Sequence, residues 1–212
     1  MAGAFSIICE NEFGDKFAGF ADPSDISYCH PDSDEVKTFQ ESIAAGRTCV
    51  QAILGGYHFV LAYKRPEQDF VTVFNSLDGD LSGHTKLQLS FLFGREERDV
   101  TVRFVSVHKQ AAGSNLCGLM VCSFMADIIA GRSPENNLYC KEIEQRQWLM
   151  QALEQNKFSV CKRKGQGRPP KDAYTSFKND VVITVDEAKN LRQQLSSGLS
   201  QRVSTFKRRR AS

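Results

Sequence analysis

Cys117 stands where the chain changes character. In KQAAGSNLCGLMVCSFMADIIAG, residues 109–131, a polar, glycine-bearing run ends at the cysteine and an apolar run begins. Met120, Phe124 and Ile128 recur at helical spacing with Val121 and Met125 beside them, and Gly131 followed by Pro134 ends the pattern. Cys117 is therefore expected at a helix N-terminus, where unpaired backbone N–H groups favour negative charge and lower a thiol's pKa. A thiolate is the nucleophilic form of cysteine, so this is a position suited to covalent chemistry.

Thiol chemistry on an acyl group also needs a histidine to exchange protons, a polar group to orient it, and donors for the developing oxyanion. The chain has four histidines. His30 lies in the turn-rich HPDSDE, His84 in the loop-like GDLSGHTK, and His108 at a strand end two residues before Gln110. Only His58 sits in an apolar strand, GGYHFVLAY. The next strand ends in FNSLDG, which brings Asn75 beside His58 if the two strands pair through the KRPEQD turn; Asp78 and Asp80 lie just beyond.

The elements that must position these residues are short. TCVQAIL, GGYHFVLAY, DFVTVFNSL and DVTVRFVSVHK are rich in β-branched and aromatic residues and bounded by turn formers, as expected of adjacent strands. A second helical stretch, ENNLYCKEIEQRQWLMQALEQN, follows the cysteine helix. Residues 1–46 are mixed and give helices or loops without a clear period. From Cys161 the composition turns basic and Gly/Pro-rich, CKRKGQGRPPKDAY, which places a boundary near residue 160. Beyond it, Thr184 and Glu187 have the spacing of a capping box ahead of a short exposed helix, and no internal repeat is visible.

The 212 residues, 41% of them hydrophobic, suffice for one medium domain, and a net charge of +2 announces neither a nucleic-acid nor a membrane partner for the molecule as a whole. No run of 18 apolar residues occurs, and the first residues lack the pattern of a secretion signal, so a soluble protein is expected, nuclear or cytoplasmic, with no membrane partner. Seven cysteines without paired metal spacings argue for reduced thiols and against a disulfide framework or zinc site, and no cofactor is implied.

Taken in order, His58, Asn75, Gln110 and Cys117 resemble the pattern of the ubiquitin-like-protein proteases, the cysteine peptidases that process SUMO and related modifiers. That pattern runs His-Trp, Asp-Ser-Leu, then Gln followed by Asp-Cys-Gly; the matching stretches here are YHFVLAY, VFNSLDG and HKQAAGSNLCGLMVCSFMADIIAG. VQAIL before the histidine, with AGRSPENNLY and LMQALEQ after the cysteine helix, looks like the divergent transposon-associated branch. The resemblance covers about residues 45–158, within a protease-like domain at 1–160 followed by a basic tail at 161–212.

The resemblance implies an α+β, papain-like fold: a central, mostly antiparallel sheet flanked by helices, with the nucleophile at a helix N-terminus. It makes Cys117 the nucleophile, His58 its general base, Asn75 the occupant of the acid position and Gln110 the oxyanion donor, with Phe59 and Gly118 against the glycine tail of the modifier. The implied reaction cleaves after the C-terminal glycine of SUMO, NEDD8 or a similar modifier through a thioester. Four positions depart from the pattern: Phe59 replaces tryptophan, Asn75 replaces aspartate, Leu116 replaces aspartate, and Gln110 precedes Cys117 by one residue more than usual.

In the tail, CKRKGQGRPPKD resembles an AT-hook, with Gly167, Arg168 and Pro169 matching its core and Gln166 in place of its first arginine. Such a segment, 162–171, would lie in an A·T-rich minor groove. The terminal KRRR fits a nuclear-import patch. Two other functions share these residues: a protease-like module without activity that binds a modifier or chromatin while its tail contacts DNA, and an acyltransferase using the same residue types.

Overall fold

The computed structural model describes residues 1–28, 32–95, 97–164, 169–170, 172–176 and 178–195. Six strands form a sheet in simple sequence order: β1 (Phe17–Gly19), β2 (Thr48–Gly55), β3 (His58–Lys64), β4 (Phe70–Phe74), β5 (Val100–Phe104) and β6 (Val181–Ile183). The β2–β3, β3–β4 and β5–β6 pairs are antiparallel, whereas β1–β2 and β4–β5 are parallel. The fold is thus α+β with a mixed sheet, less uniformly antiparallel than expected, because β1 to β2 and β4 to β5 are crossover connections.

Alternation along the strands explains the layers, since successive side chains in a strand point to opposite faces. Val50, Ala52, Leu61 and Phe74 join one buried cluster, while Cys49, Ile53, Val60, Ala62, Val71 and Val73 join another on the opposite face. The first cluster packs against α1 (Ala2–Phe13), α5 (Cys117–Ile129) and α6 (Glu142–Gln155). The second packs against α2 (Pro23–Tyr28), α3 (Asp34–Ala44) and α4 (Gly83–Leu89), which continues into a π-helical turn, Ser90–Gly94. The sheet is covered on both faces, as its two-sided apolar strands require.

Every residue of α5 except Gly118 is buried. A helix apolar on all sides belongs inside a domain, and α5 lies between the sheet and the α1–α6 pair. Phe5 of α1 meets Trp148 of α6 edge-on at 5.5 Å and stacks with Phe158 at 6.3 Å. These contacts cover the side of α5 that the sheet does not.

Local signals account for several ends. Ser33 caps α3 by accepting the Val36 N–H, with Asp34 and Glu35 in the first turn where the helix dipole favours acids. Ser82 caps α4 by accepting the Thr85 N–H, so His84, expected in a loop, sits exposed in a helix. The β2–β3 hairpin turns over two residues, with Gly56 at φ 76° in the first central position where glycine suits a tight hairpin. Beside it, a Cβ on Gly55 would lie 1.8 Å from Thr85 Oγ1, so α4 can approach only a glycine there.

Described segments beyond residue 160 pack back against the core. Tyr139 and Arg163 form an antiparallel bridge, with Cys140 N–H donating to Lys162 C=O at 3.1 Å and Lys164 N–H to Leu138 C=O at 2.8 Å. Cys161 is 1% exposed. Arg163 reaches the fully buried carboxylate of Asp127 on α5 at 2.8 Å, where Arg132 and the Tyr139 hydroxyl also bind. A buried carboxylate in the last turn of an apolar helix needs such partners, and the basic segment supplies one. Further on, β6 adds to the sheet edge at β5, and a helix over 185–195 follows, its Glu187 N–H donating to Thr184 Oγ1 at 3.1 Å. Glu187 itself pairs with Lys86 of α4 at 2.7 Å. Pro169 is exposed, whereas Gly167, Arg168 and the terminal KRRR lie outside the described residues. Among the described residues no helix is long and apolar enough to cross a membrane.

Replacing Asp127 by Ala leaves two guanidinium groups and the buried Tyr139 hydroxyl without their acceptor. Urea denaturation is expected to show a loss of about 3 kcal/mol, at the low end for breaking a buried pair because both arginines keep partial water contact. Asp127→Asn, which keeps one oxygen acceptor, loses less.

Candidate active site

Three element ends meet at one end of the central strands. His58 opens β3, Asn75 directly follows the last residue of β4, and Cys117 opens α5. Because β3 and β4 run antiparallel, the start of one and the end of the other lie on the same side. The packing of α5 across β3 brings its N-terminus to the same place.

His58 Nε2 lies 2.7 Å from Asn75 Oδ1. The amide of Asn75 is fixed on both sides: Oδ1 also accepts the Leu77 N–H at 3.0 Å, and Nδ2 donates to the Gly79 carbonyl at 3.2 Å. An oxygen thus faces the imidazole, which requires the proton of the neutral ring to reside on Nε2. Nδ1 is left with its lone pair, and the interaction of the ring with the Cys117 thiol is among the causes that shift the pKa of each group. Asp78 and Asp80 are engaged elsewhere: Asp78 with Lys109 and the Ser176 N–H, Asp80 at the surface with Lys178.

The electrostatics favour a charged pair. Burial works against the thiolate of Cys117, but the hydrogen bond from His58 and the backbone N–H groups of Phe59 and Gly118 outweigh it and lower the thiol pKa. Burial likewise opposes charge on His58, yet its bonds to Cys117 and Asn75 raise the imidazole pKa. Both shifts run the same way, each favouring the charged form of its group, so together they favour thiolate and imidazolium over the neutral pair. By contrast, burial pushes Cys9, Cys49 and Cys122 up, which makes those thiols inert.

Gln110 is held beside this chain through Ser76. Its backbone N–H donates to the Ser76 carbonyl at 3.0 Å, and the Ser76 hydroxyl donates to Gln110 Oε1 at 2.6 Å. Nε2 donates one hydrogen to the Ser114 carbonyl at 3.0 Å. Both side chains are buried, and Nε2 carries a second hydrogen beyond the one given to Ser114. The additional residue between Gln110 and Cys117 is taken up in a tight turn: Ser114 N–H donates to Ala111 C=O at 3.1 Å, with Gly113 at φ 75° in the third position, where such a turn needs glycine.

Ser76 is the residue that sequence reasoning passed over. Its signal was present, since it is the polar neighbour of Asn75 at the end of an apolar strand. One dipeptide, Asn75-Ser76, orients both the imidazole and the glutamine amide. Phe59 packs partly buried against the core with its ring edge 3.6 Å from where a Cβ on Gly118 would lie, so those two residues adjoin. Leu116 occupies the N-cap position of α5 without a side-chain cap.

The remaining histidines are apart from the thiol. His108 bridges to Tyr174 in a β-pair and accepts the Tyr139 N–H on Nδ1 at 3.1 Å; its pKa is lowered by burial and by Lys164. His84 is exposed on α4, and His30 lies outside the described residues. Among the described residues no three of His, Cys, Asp and Glu gather where a metal ion would bind.

At pH 7, iodoacetamide is expected to alkylate Cys117 well before Cys9, Cys49 or Cys122, as followed by peptide mass spectrometry. The Cys117 rate falls only as pH drops through its lowered pKa. In His58→Ala that fall moves to higher pH, because the hydrogen bond favouring thiolate is gone. The chain matches no protein-family model, and no curated protein matches it.

Proposed function

We propose that this protein is a cysteine peptidase with a papain-like arrangement, cleaving after the C-terminal glycine of a ubiquitin-like modifier such as SUMO or NEDD8. The observation that carries the reading is the continuous chain from thiol to imidazole to locked amide, closed by the 2.7 Å bond between His58 and Asn75. Its choice of modifier rests on the resemblance of YHFVLAY, VFNSLDG and KQAAGSNLCGL to that protease family.

The Cys117 thiolate attacks the carbonyl carbon of the scissile bond, and the carbonyl oxygen takes up negative charge. The second Nε2–H of Gln110 donates to that oxygen, in a site where fixed donors act without reorganisation. The imidazolium of His58 gives its Nδ1 proton to the departing amine, which leaves a thioester on Cys117. Neutral His58, its Nε2–H still on Asn75, then takes a proton from water at Nδ1; hydroxide attacks the thioester, and thiolate and imidazolium are restored. Asparagine suffices in the third position, because the ring needs orientation more than a counter-charge when its partner is itself a thiolate.

Activity should depend on pH through two groups, the thiol with its lowered pKa and the imidazole with its raised one. It declines below the first as the nucleophile is protonated, and above the second as the acid for the leaving group is lost. The test is labelling with SUMO, NEDD8 and ubiquitin carrying C-terminal electrophiles. Labelling is expected in the wild type and absent in Cys117→Ser; absence of Cys117-dependent labelling by all three contradicts the reading. In turnover of a modifier fused at its C-terminus, Gln110→Ala is expected to lower kcat by about a hundredfold, the usual size of losing one oxyanion donor. Ser76→Ala should lower kcat less, with KM little changed.

A further inference from the structure

A cavity of about 530 Å³ opens beside the nucleophile on its Gln110 and Leu116 side. That volume lies within the roughly 300–1,000 Å³ of ordinary ligand sites. Leu116, Met120, Leu138 and Tyr139 give it an apolar lining, and the paired segments 138–140 and 162–164 form a wall. Nothing in the hydrolytic steps uses this space.

Its charges are unequal. Five cations line it: Lys109, Lys141, Lys162, Arg163 and Lys164; the acids are Glu142 and Glu144. Lys109 is neutralised by Asp78, Arg163 by Asp127, and Glu142 is taken by Arg146 at 2.8 Å. Lys141, Lys162 and Lys164 are exposed and have no carboxylate partner among the described residues, which leaves three positive charges against Glu144. The charge of Lys164 is felt at His108 and that of Lys162 at Cys140, both on the cavity lining, so the excess acts inward. Because His108 Nδ1 accepts the Tyr139 N–H, its neutral ring carries the proton on Nε2, a further donor.

We infer that this cavity is a docking site for an acidic, extended peptide segment of the substrate, adjoining the scissile bond. The occupant is set by charge complementarity: carboxylates meet Lys141, Lys162 and Lys164 while interspersed apolar side chains cover Leu116 and Met120. The inference rests on the peptidase reading, since the cavity shares Gln110 and Leu116 with that site. It adds a preference for acidic sequence next to the cleaved bond.

Binding is measured on the full chain as Cys117→Ala, so that turnover is not needed. Fluorescence anisotropy would compare a labelled peptide alternating Glu and Leu with one in which Gln replaces Glu. The acidic peptide is expected to bind at least tenfold more tightly. Lys162→Glu with Lys164→Glu should abolish that difference, whereas Lys16→Glu with Lys37→Glu, the same charge change on exposed lysines away from the cavity, should preserve it. Equal binding of both peptides, or equal loss in both double variants, overturns the inference. Failure of the modifier probes alongside intact, Lys162- and Lys164-dependent peptide binding would instead refute the peptidase and leave the docking site standing.

Discussion

A histidine can hold a thiol in a reactive geometry only if its other nitrogen is held too. Here that restraint is the 2.7 Å contact between His58 and Asn75, and it is effective because Asn75 cannot turn over. Rotation of its amide would set Nδ2 against the Leu77 N–H and Oδ1 against the Gly79 carbonyl, losing both bonds at once in a buried place. The turn FNSLDG thereby selects the imidazole tautomer, and the tautomer selects the nitrogen that faces Cys117. Much of the fold serves to bring this turn, the start of β3 and the head of α5 together.

The cost of placing a thiolate at the head of a wholly buried helix is met locally. Burial opposes the thiolate, and the hydrogen bonds from His58 and from the N–H groups of Phe59 and Gly118 more than offset it. At the opposite end of α5 the buried carboxylate of Asp127 is met by Arg132, Arg163 and Tyr139. The two ends of one apolar helix thus differ: one carries the Cys117 thiol with its lowered pKa, and the other uses an anion to fasten the chain that returns after α6. That fastening also builds the 138–140 and 162–164 wall beside the nucleophile.

The central strands and α5 were legible because their patterns are unambiguous: compact β-branched and aromatic runs between turn formers, then a clear change to helical spacing at Cys117. Asn75 was legible from the same strand logic. α1 was not, since AGAFSIICENEF crowds its apolar residues without a clean stripe or a capping side chain. β1 and β6, of three residues each, exist because β2 and β5 offer edges to them, which no local pattern announces. The basic segment after residue 160 reads as departing chain by composition, yet a buried carboxylate 36 residues earlier draws Arg163 back. Ser76, though a visible polar neighbour of Asn75, could not be assigned a role for a similar reason: its importance is its contact with Gln110, 34 residues away.

The central claim is that His58, oriented by Asn75, lowers the pKa of the Cys117 thiol. The most direct measurement is the pH titration of thiolate absorbance near 240 nm, taken as the difference between wild type and Cys117→Ser. The account predicts a single step below the ordinary thiol range, moving up in His58→Ala and, by a smaller amount, in Asn75→Ala. A step at or above the ordinary range in the wild type, unchanged by either substitution, would contradict it.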